Sequence, residues 1–164
     1  MSCESVLDAL HQDADRHGAD DGARRVIDWH FGPNRASKRT ILLSHDGFSA
    51  QLETLIRRHL EVFVSDTDLC RLFISEVRTA SDYEGSSIQE LNRLYTSVLI
   101  RIVKDAVKTG EVRSEVNPKL LRDVIFGAIE HLAWRHVNGK GQLRVAQTAR
   151  DLTIMLTSGI CGAR

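Results

Sequence analysis

The chain has 164 residues, and its 22 basic and 22 acidic side chains balance to a formal net charge of zero. This length predicts one domain with a substantial core, and the balance gives no support to bulk electrostatic attraction to nucleic acid or membranes. No apolar run approaches the roughly 18 residues of a membrane span, and the acidic N-terminus does not resemble a signal peptide. Cys3, Cys70 and Cys161 form no recognisable pairing pattern, which favours a reducing, cytoplasmic location over a disulfide framework.

The first third of the chain has little helical periodicity, whereas from Phe48 onward the apolar residues recur about every 3.6 positions. A first helix is predicted from the apolar positions Phe48, Leu52, Leu55, Ile56, Leu60 and Phe63. A second helix follows the cap-rich segment 65–68, with Leu69, Leu72, Phe73, Val77 and Ala80 on one face.

A long third helix is predicted to start near Ser87, whose spacing to Glu90 is that of a capping box, and to stop at Gly110. Its apolar positions are Leu91, Leu94, Tyr95, Val98, Leu99, Ile102, Val103, Ala106 and Val107.

The fourth helix has clear signals at both ends. Asn117 is a good N-cap, and Pro118 suits the first helical position because its missing N–H is no loss there. Asn138 and Gly139 end the helix, which therefore spans 118–138, and a last helix follows over about 143–159. No alternating β pattern is present, so we predict an all-α protein.

Helix 118–138 carries apolar side chains around most of its circumference, more than the rim of a monomer requires. One interpretation is the central helix of a monomeric bundle, surrounded on all sides. The preferred interpretation is an isologous homodimer in which the last two helices of each chain form a four-helix bundle. The predicted interface residues are Phe126, Gly127, Trp134, Ala149, Leu152 and Leu156.

Several segments, in order along residues 48–160, resemble the C-terminal domain of tetracycline-repressor (TetR) family regulators. They are Gly110-Glu111-Val112, Asn117-Pro118-Lys119-Leu120, Ile125-Phe126-Gly127-Ala128-Ile129 with Leu132-Ala133-Trp134, and the helix Asp66 to Arg78. The resemblance implies a helical bundle with a two-helix dimerisation face and a pocket for a small lipophilic effector. It is closest to regulators that sense fatty acyl-CoA or similar molecules.

The resemblance also implies a helix-turn-helix-like head over residues 1–47, followed by a ligand-binding and dimerisation domain over 48–164. The segment 27–34 is similar to the end of a TetR recognition helix, and candidate DNA-contacting residues are Trp29, His30, Arg35 and Lys38. We expect this head to be shortened or degenerate relative to that of the family. Residues 1–30 carry seven acidic against three basic side chains, so we expect weak or no binding to duplex DNA.

Glu76 falls on the apolar face of the second helix, where a carboxylate must be paired or must open onto a cavity. It could pair with Arg78 or Arg101, or it could be a polar contact in an effector pocket, which usually combines apolar walls with few polar groups. By the resemblance the pocket lies between the middle helices and helix 118–138. The candidate lining residues, each also plausible as ordinary core, are Phe73, Glu76, Val77, Tyr95, Val98, Leu99, Ile102 and Ile125.

No catalytic pattern is present in the sequence. His131 and His136 are five residues apart and point to different helix faces, so they do not form a metal-binding pair, and there is no phosphate-binding loop or nucleophile elbow. This absence predicts a non-enzymatic, cofactor-free protein, and the resemblance implies a transcriptional regulator that responds to a small-molecule effector. The alternative is a dimerising ligand-binding module that has lost DNA binding.

Overall fold

The computed structural model of the chain describes residues 47–77, 81, 83–85 and 87–160. All regular elements in these ranges are helical, which confirms the all-α prediction. They are α1 (Phe48–Ser65), α2 (Thr67–Leu72) with a π-helical continuation (Phe73–Val77), α3 (Ser87–Lys108), α4 (Pro118–Val137) and α5 (Val145–Ile160).

Helix α1 is the centre of the bundle, because α2, α3, α4 and α5 all pack against it. Its inward side chains recur with helical spacing and form one broad stripe, while the opposite side carries the exposed ion pairs Arg57–Glu53 (2.8 Å) and Arg58–Glu61 (3.2 Å). The buried members of the stripe are Phe48, Leu52, Leu55, Ile56, His59, Leu60 and Phe63.

Helix α4 is therefore not the surrounded central helix that one interpretation of the sequence proposed. One side of α4 is buried against the bundle through Leu121, Ile125, Phe126, Ile129, Ala133 and Val137. Large apolar side chains on α4, including Leu120, Val124, Leu132 and Trp134, remain exposed. The apolar side chains of α4 thus lie on two faces of the helix, one packed in the core and one exposed.

The ends of α4 form as the sequence predicts. The side-chain oxygen of Asn117 accepts hydrogen bonds from the backbone N–H groups of Lys119 (3.0 Å) and Leu120 (3.2 Å), and Pro118 occupies the first helical position. At the other end Gly139 adopts a left-handed φ of 68°, which favours glycine because it has no Cβ. Local capping chemistry thus sets both boundaries.

Helix α2 is held against the C-terminal end of α4 by polar contacts. The Arg71 guanidinium donates through Nε (3.0 Å) and Nη2 (2.7 Å) to the carbonyl oxygen of Val137. The Thr67 hydroxyl lies 3.4 Å from Nε2 of His136. These contacts satisfy a carbonyl at the helix end, where intrahelical partners are missing.

The sequence predicts one regular α-helix through Ala80, whereas the structure changes to π-helical geometry at Phe73. Apolar spacing over so few residues does not distinguish the two helix types, since both place residues four apart on similar faces.

The Asn117 cap makes a direct stability prediction. Asn117→Ala should lower the free energy of unfolding by about 1 kcal/mol, because two backbone N–H groups lose their acceptor. Urea denaturation measures this change. Ser114→Ala, at an exposed position of the same loop, is the control and should change stability by less than about 0.5 kcal/mol. Equal stability of the wild-type protein and the Asn117 variant would contradict the capping role.

Candidate effector site

The candidate site lies where α1, α3 and α4 pack together. Leu99 and Ile102 from α3 and Ile125 from α4 are buried in the same apolar cluster, and half-buried Val98 packs against it. The structure thus gathers four of the eight residues that the sequence suggests as pocket lining. Residues of an ordinary packed core would make the same contacts. That these four residues line a ligand pocket therefore stays a prediction.

Of the other four candidate lining residues, the structure describes the side chain of Phe73 alone. Phe73 is half-buried at the start of the π-helical turn. The side chains of Glu76, Val77 and Tyr95 lie outside the described part of the structure, so the expected roles of these three residues stay predictions.

His59 is a polar residue inside this apolar region. It is only 7% exposed, and its ring meets two phenylalanines edge to face, Phe126 at 4.8 Å and Phe63 at 5.5 Å between ring centroids. A signal for this burial is present in the sequence, because His59 lies four residues after Leu55 and four before Phe63 and so shares their helix face. Apolar ligand sites contain a small number of polar groups, and a buried imidazole that contacts two aromatic rings is a group of that kind.

Two further buried polar side chains are Thr96 on α3 and Cys70 on α2. The Thr96 hydroxyl donates to the carbonyl oxygen of Arg93 (3.1 Å), and the Cys70 thiol donates to that of Val62 (3.7 Å). Burial, and to a smaller extent the negative charge of Asp66, raises the pKa of the Cys70 thiol to about 12. Among the described residues every buried side-chain N or O has a hydrogen-bond partner.

The surface of α4 carries a row of exposed residues, which we call the outer stripe. It comprises Leu120, Val124, Gly127, His131 and Trp134, at alternating spacings of four and three residues that place them on one helix face. All five residues are exposed. Such a row has the spacing of a helix–helix contact seam.

The residues predicted for the partner interface divide between this surface and the interior. Gly127 and Trp134 are exposed in the outer stripe, and Leu156 on α5 is half-buried. Phe126, Ala149 and Leu152 instead lie in the core of their own chain, Phe126 against His59 and the other two on the buried side of α5. Their apolar character is explained by intrachain packing, which removes them from the interface proposed below.

The predicted DNA contacts lie outside the part of the chain that the structure describes. They are Trp29, His30, Arg35 and Lys38. In the ranges that the structure covers, no group of three or more His, Cys, Asp or Glu residues is arranged to hold a metal ion. No helix within these ranges is long and apolar enough to cross a bilayer.

Residues 45–160 match the family model of the tetracyclin repressor-like C-terminal domain. The chain is 23% identical over 110 residues to the "Fatty acid metabolism regulator protein" of Bacillus subtilis strain 168. That alignment covers 67% of this chain and 57% of the relative, so the chain matches a little over half of that protein's length.

Solved structures share the fold. The fatty acid degradation regulator FadR from Bacillus halodurans has a TM-score of 0.75 at 16% identity, covering 96% of this chain and 99% of that chain. FadR from Bacillus subtilis in complex with stearoyl-CoA also has a TM-score of 0.75, at 19% identity, covering 87% and 76% respectively. A TetR/AcrR family regulator from Thermobifida fusca YX-ER1 has a TM-score of 0.56 at 17% identity, covering 96% and 97%.

The buried thiol generates a prediction about reactivity. In a protein that also carries Cys3→Ser and Cys161→Ser, Ellman's reagent at pH 8 should modify folded Cys70 on the order of tenfold or more slowly than Cys70 in urea-unfolded protein. The reason is that both burial and the raised pKa suppress the reactive thiolate. Equal rates in the folded and unfolded states would contradict the burial.

The contribution of the Cys70 thiol to the stability of the fold should depend on pH. Because the pKa of Cys70 rises from 9.0 to about 12 on folding, its protonated form favours the folded state while the unfolded chain ionises. Its contribution to stability should be complete below pH 9 and should be lost as the pH rises toward 12. Cys70→Ser in the same background is the comparison and should lack this decline.

Proposed function

The chain belongs to the tetracyclin-repressor-like family, and from this membership we propose that it is the effector-sensing part of a transcriptional regulator whose effector is a long-chain acyl-CoA or a similar lipophilic thioester. The observation that carries the proposal is the part of the buried apolar core that α1, α3 and α4 contribute, where the polar residue His59 packs against Phe126.

The chemistry of this cluster suits an acyl chain. Leu99, Ile102 and Ile125 supply aliphatic surface from two helices, and transfer of an alkyl chain into such surroundings contributes about 0.8 kcal/mol for each buried CH₂ group. His59 and Thr96 offer polar atoms for a thioester or another head group, provided that they exchange their present partners. The relatives support this choice, since one is named for fatty acid metabolism and one was solved with stearoyl-CoA.

Ligand entry would have to separate packed helices, because these residues are closely buried. Binding would therefore favour a conformation in which α3 or α4 is displaced relative to α1, and a ligand shifts such an equilibrium only through its preference for that conformation. Helix α1 follows directly on the predicted head, so the displacement would reach residues 1–47. This is the proposed route from effector to DNA.

We further propose that the regulator is a homodimer formed through the outer stripe of α4 together with Ile154 and Met155 of α5, both exposed. Gly127 lies in the middle of the stripe, where its missing side chain permits close approach of another helix. Trp134 lies nearer its end and supplies a large apolar contact. A twofold arrangement would pair each such surface with its own copy.

The second candidate function is a dimerising ligand-binding module that does not bind DNA. It is favoured by the excess of acidic over basic side chains in residues 1–30, which would repel phosphates. Tight, salt-sensitive binding of the full chain to a palindromic duplex would eliminate this alternative. Effector binding without such DNA binding would select it.

Stearoyl-CoA should stabilise the chain against heat. At a free concentration 100 times its dissociation constant it should add about 2.7 kcal/mol to the free energy of unfolding, which differential scanning calorimetry detects as a higher Tm. Coenzyme A alone should give a much smaller shift, because it lacks the acyl chain. Equal shifts with both compounds would contradict an acyl-chain site.

Two valine positions of α3 form a matched pair for locating that site. Val98 and Val107 are both half-buried and pack against the core, but they lie nine residues, or about 13 Å, apart along the helix. Val98→Phe should reduce stearoyl-CoA affinity about tenfold or more by filling space beside Leu99 and Ile102. Val107→Phe should leave affinity nearly unchanged. Equal effects at both positions would place the ligand elsewhere.

Dimerisation can be tested at Trp134 with Val64 as control, since both side chains are 45% exposed. Light scattering of the wild-type chain should give about twice the 18.4 kDa monomer mass. Trp134→Glu should produce folded monomer, because the charge loses its hydration at the interface. Val64→Glu, on α1 and outside the proposed interface, should remain dimeric. A wild-type monomer at micromolar concentration would refute the interface.

A further inference from the structure

The N-terminus of α1 has no cap from its own residues. The N-cap position is Gly47, which has no side chain, and the first turn contains no acidic residue. The first four N–H groups of a helix have no intrahelical acceptors, so the first turn depends on outside partners. This matters here because α1 is the helix against which the other four pack.

Glu111 supplies such a partner from a distant part of the chain. Its Oε2 accepts a hydrogen bond from the Phe48 N–H at 2.7 Å, across 63 residues of sequence, and its Oε1 accepts one from the Thr109 hydroxyl at 3.1 Å. Gly47 has a φ of 86°, and a Cβ there would lie 3.3 Å from Oε2. The glycine and the carboxylate therefore fit closely together. A carboxylate at a helix N-terminus also interacts favourably with the helix dipole.

The segment that carries Glu111, Thr109–Asn117, also contacts three other helix ends, and we call it the junction loop. The backbone N–H groups of Glu111 (2.9 Å) and Val112 (3.1 Å) donate to the carbonyl oxygen of Ala106 in the last turn of α3. The Arg113 guanidinium donates to the carbonyl oxygen of Gly159 in α5. Asn117 caps α4. One short loop thus joins the ends of α1, α3, α4 and α5.

We propose that Glu111 is a positioning residue that couples the entry of the chain into α1 to the ends of α3, α4 and α5. A displacement of any of these three helices moves the junction loop and therefore the carboxylate that holds Phe48. The 46 residues before Gly47 join the described bundle at this point. Glu111 is exposed, so water competes for its hydrogen bond and the connection can open reversibly. This coupling goes beyond the sensing function and requires no effector.

The first part of the test measures the exchange rate of the Phe48 amide hydrogen by NMR in the full chain. Glu111→Ala should accelerate it about fivefold or more, the effect expected for the loss of a helix cap. Glu111→Gln should be intermediate, because an amide oxygen still accepts but carries no charge. Glu115→Ala, an exposed glutamate of the same loop, is the control and should leave the rate unchanged.

The second part separates coupling from a merely local cap by a double-mutant comparison. Arg113→Ala frees the junction loop from α5 without touching α1, so it should accelerate Phe48 exchange in the wild-type background and add nothing when Glu111 is already Ala. If Glu111→Ala does not fold, Glu111→Gln replaces it in the same comparison. The proposal is overturned if Arg113→Ala leaves Phe48 exchange unchanged, if the two effects are additive, or if the Glu111 variants do not alter Phe48 exchange.

Discussion

The burial of α1 is the constraint on which the rest of the bundle depends. Leu52, Ile56 and Leu60 are completely inaccessible to solvent, and full burial of each such side chain contributes about 1.5–3 kcal/mol to stability. All four other helices pack against α1, and α4 also packs against α2 and α3. In the proposed mechanism, a molecule that enters beside α1 displaces side chains that pack against this helix, and α1 then transmits the change toward the residues that precede it.

Helix α4 links the interior to the surface. Its inner side places Ile125 and Phe126 in the region of His59 and Leu99, while its outer stripe carries Val124 and Trp134. Because a helix moves largely as a unit, a shift that accommodates a ligand on one side also alters the geometry on the other. In a homodimer built on the outer stripe, the same shift changes how the two chains are arranged. Effector binding and assembly are then coupled through one element.

Local features of this fold were predictable from the sequence, and long-range ones were not. The Asn117 cap, the Pro118 start and the Gly139 stop use neighbouring residues, so their chemistry can be recognised without the tertiary structure. The bond from Glu111 to Phe48 joins residues 63 positions apart and has no local sequence signal.

The candidate site was predictable only in part, for a related reason. Helical periodicity identified Leu99, Ile102 and Ile125 as inward-facing, because their spacing defines a buried stripe. On α4 the apolar residues surround the helix, so the sequence could not decide which side meets the chain's own core. Phe126 was for that reason expected at a partner interface, whereas it packs against His59.

The central claim is that the region between α1, α3 and α4 accepts an acyl chain, and methyl NMR of the full-length chain tests it most directly. Stearoyl-CoA should shift the methyl resonances of Leu99, Ile102 and Ile125 and leave that of exposed Val64 on α1 nearly unchanged. Contacts between the acyl chain and these core methyl groups should appear as intermolecular nuclear Overhauser effects. Shifts confined to surface methyl groups, with no such contacts in the core at saturating ligand, would contradict the claim.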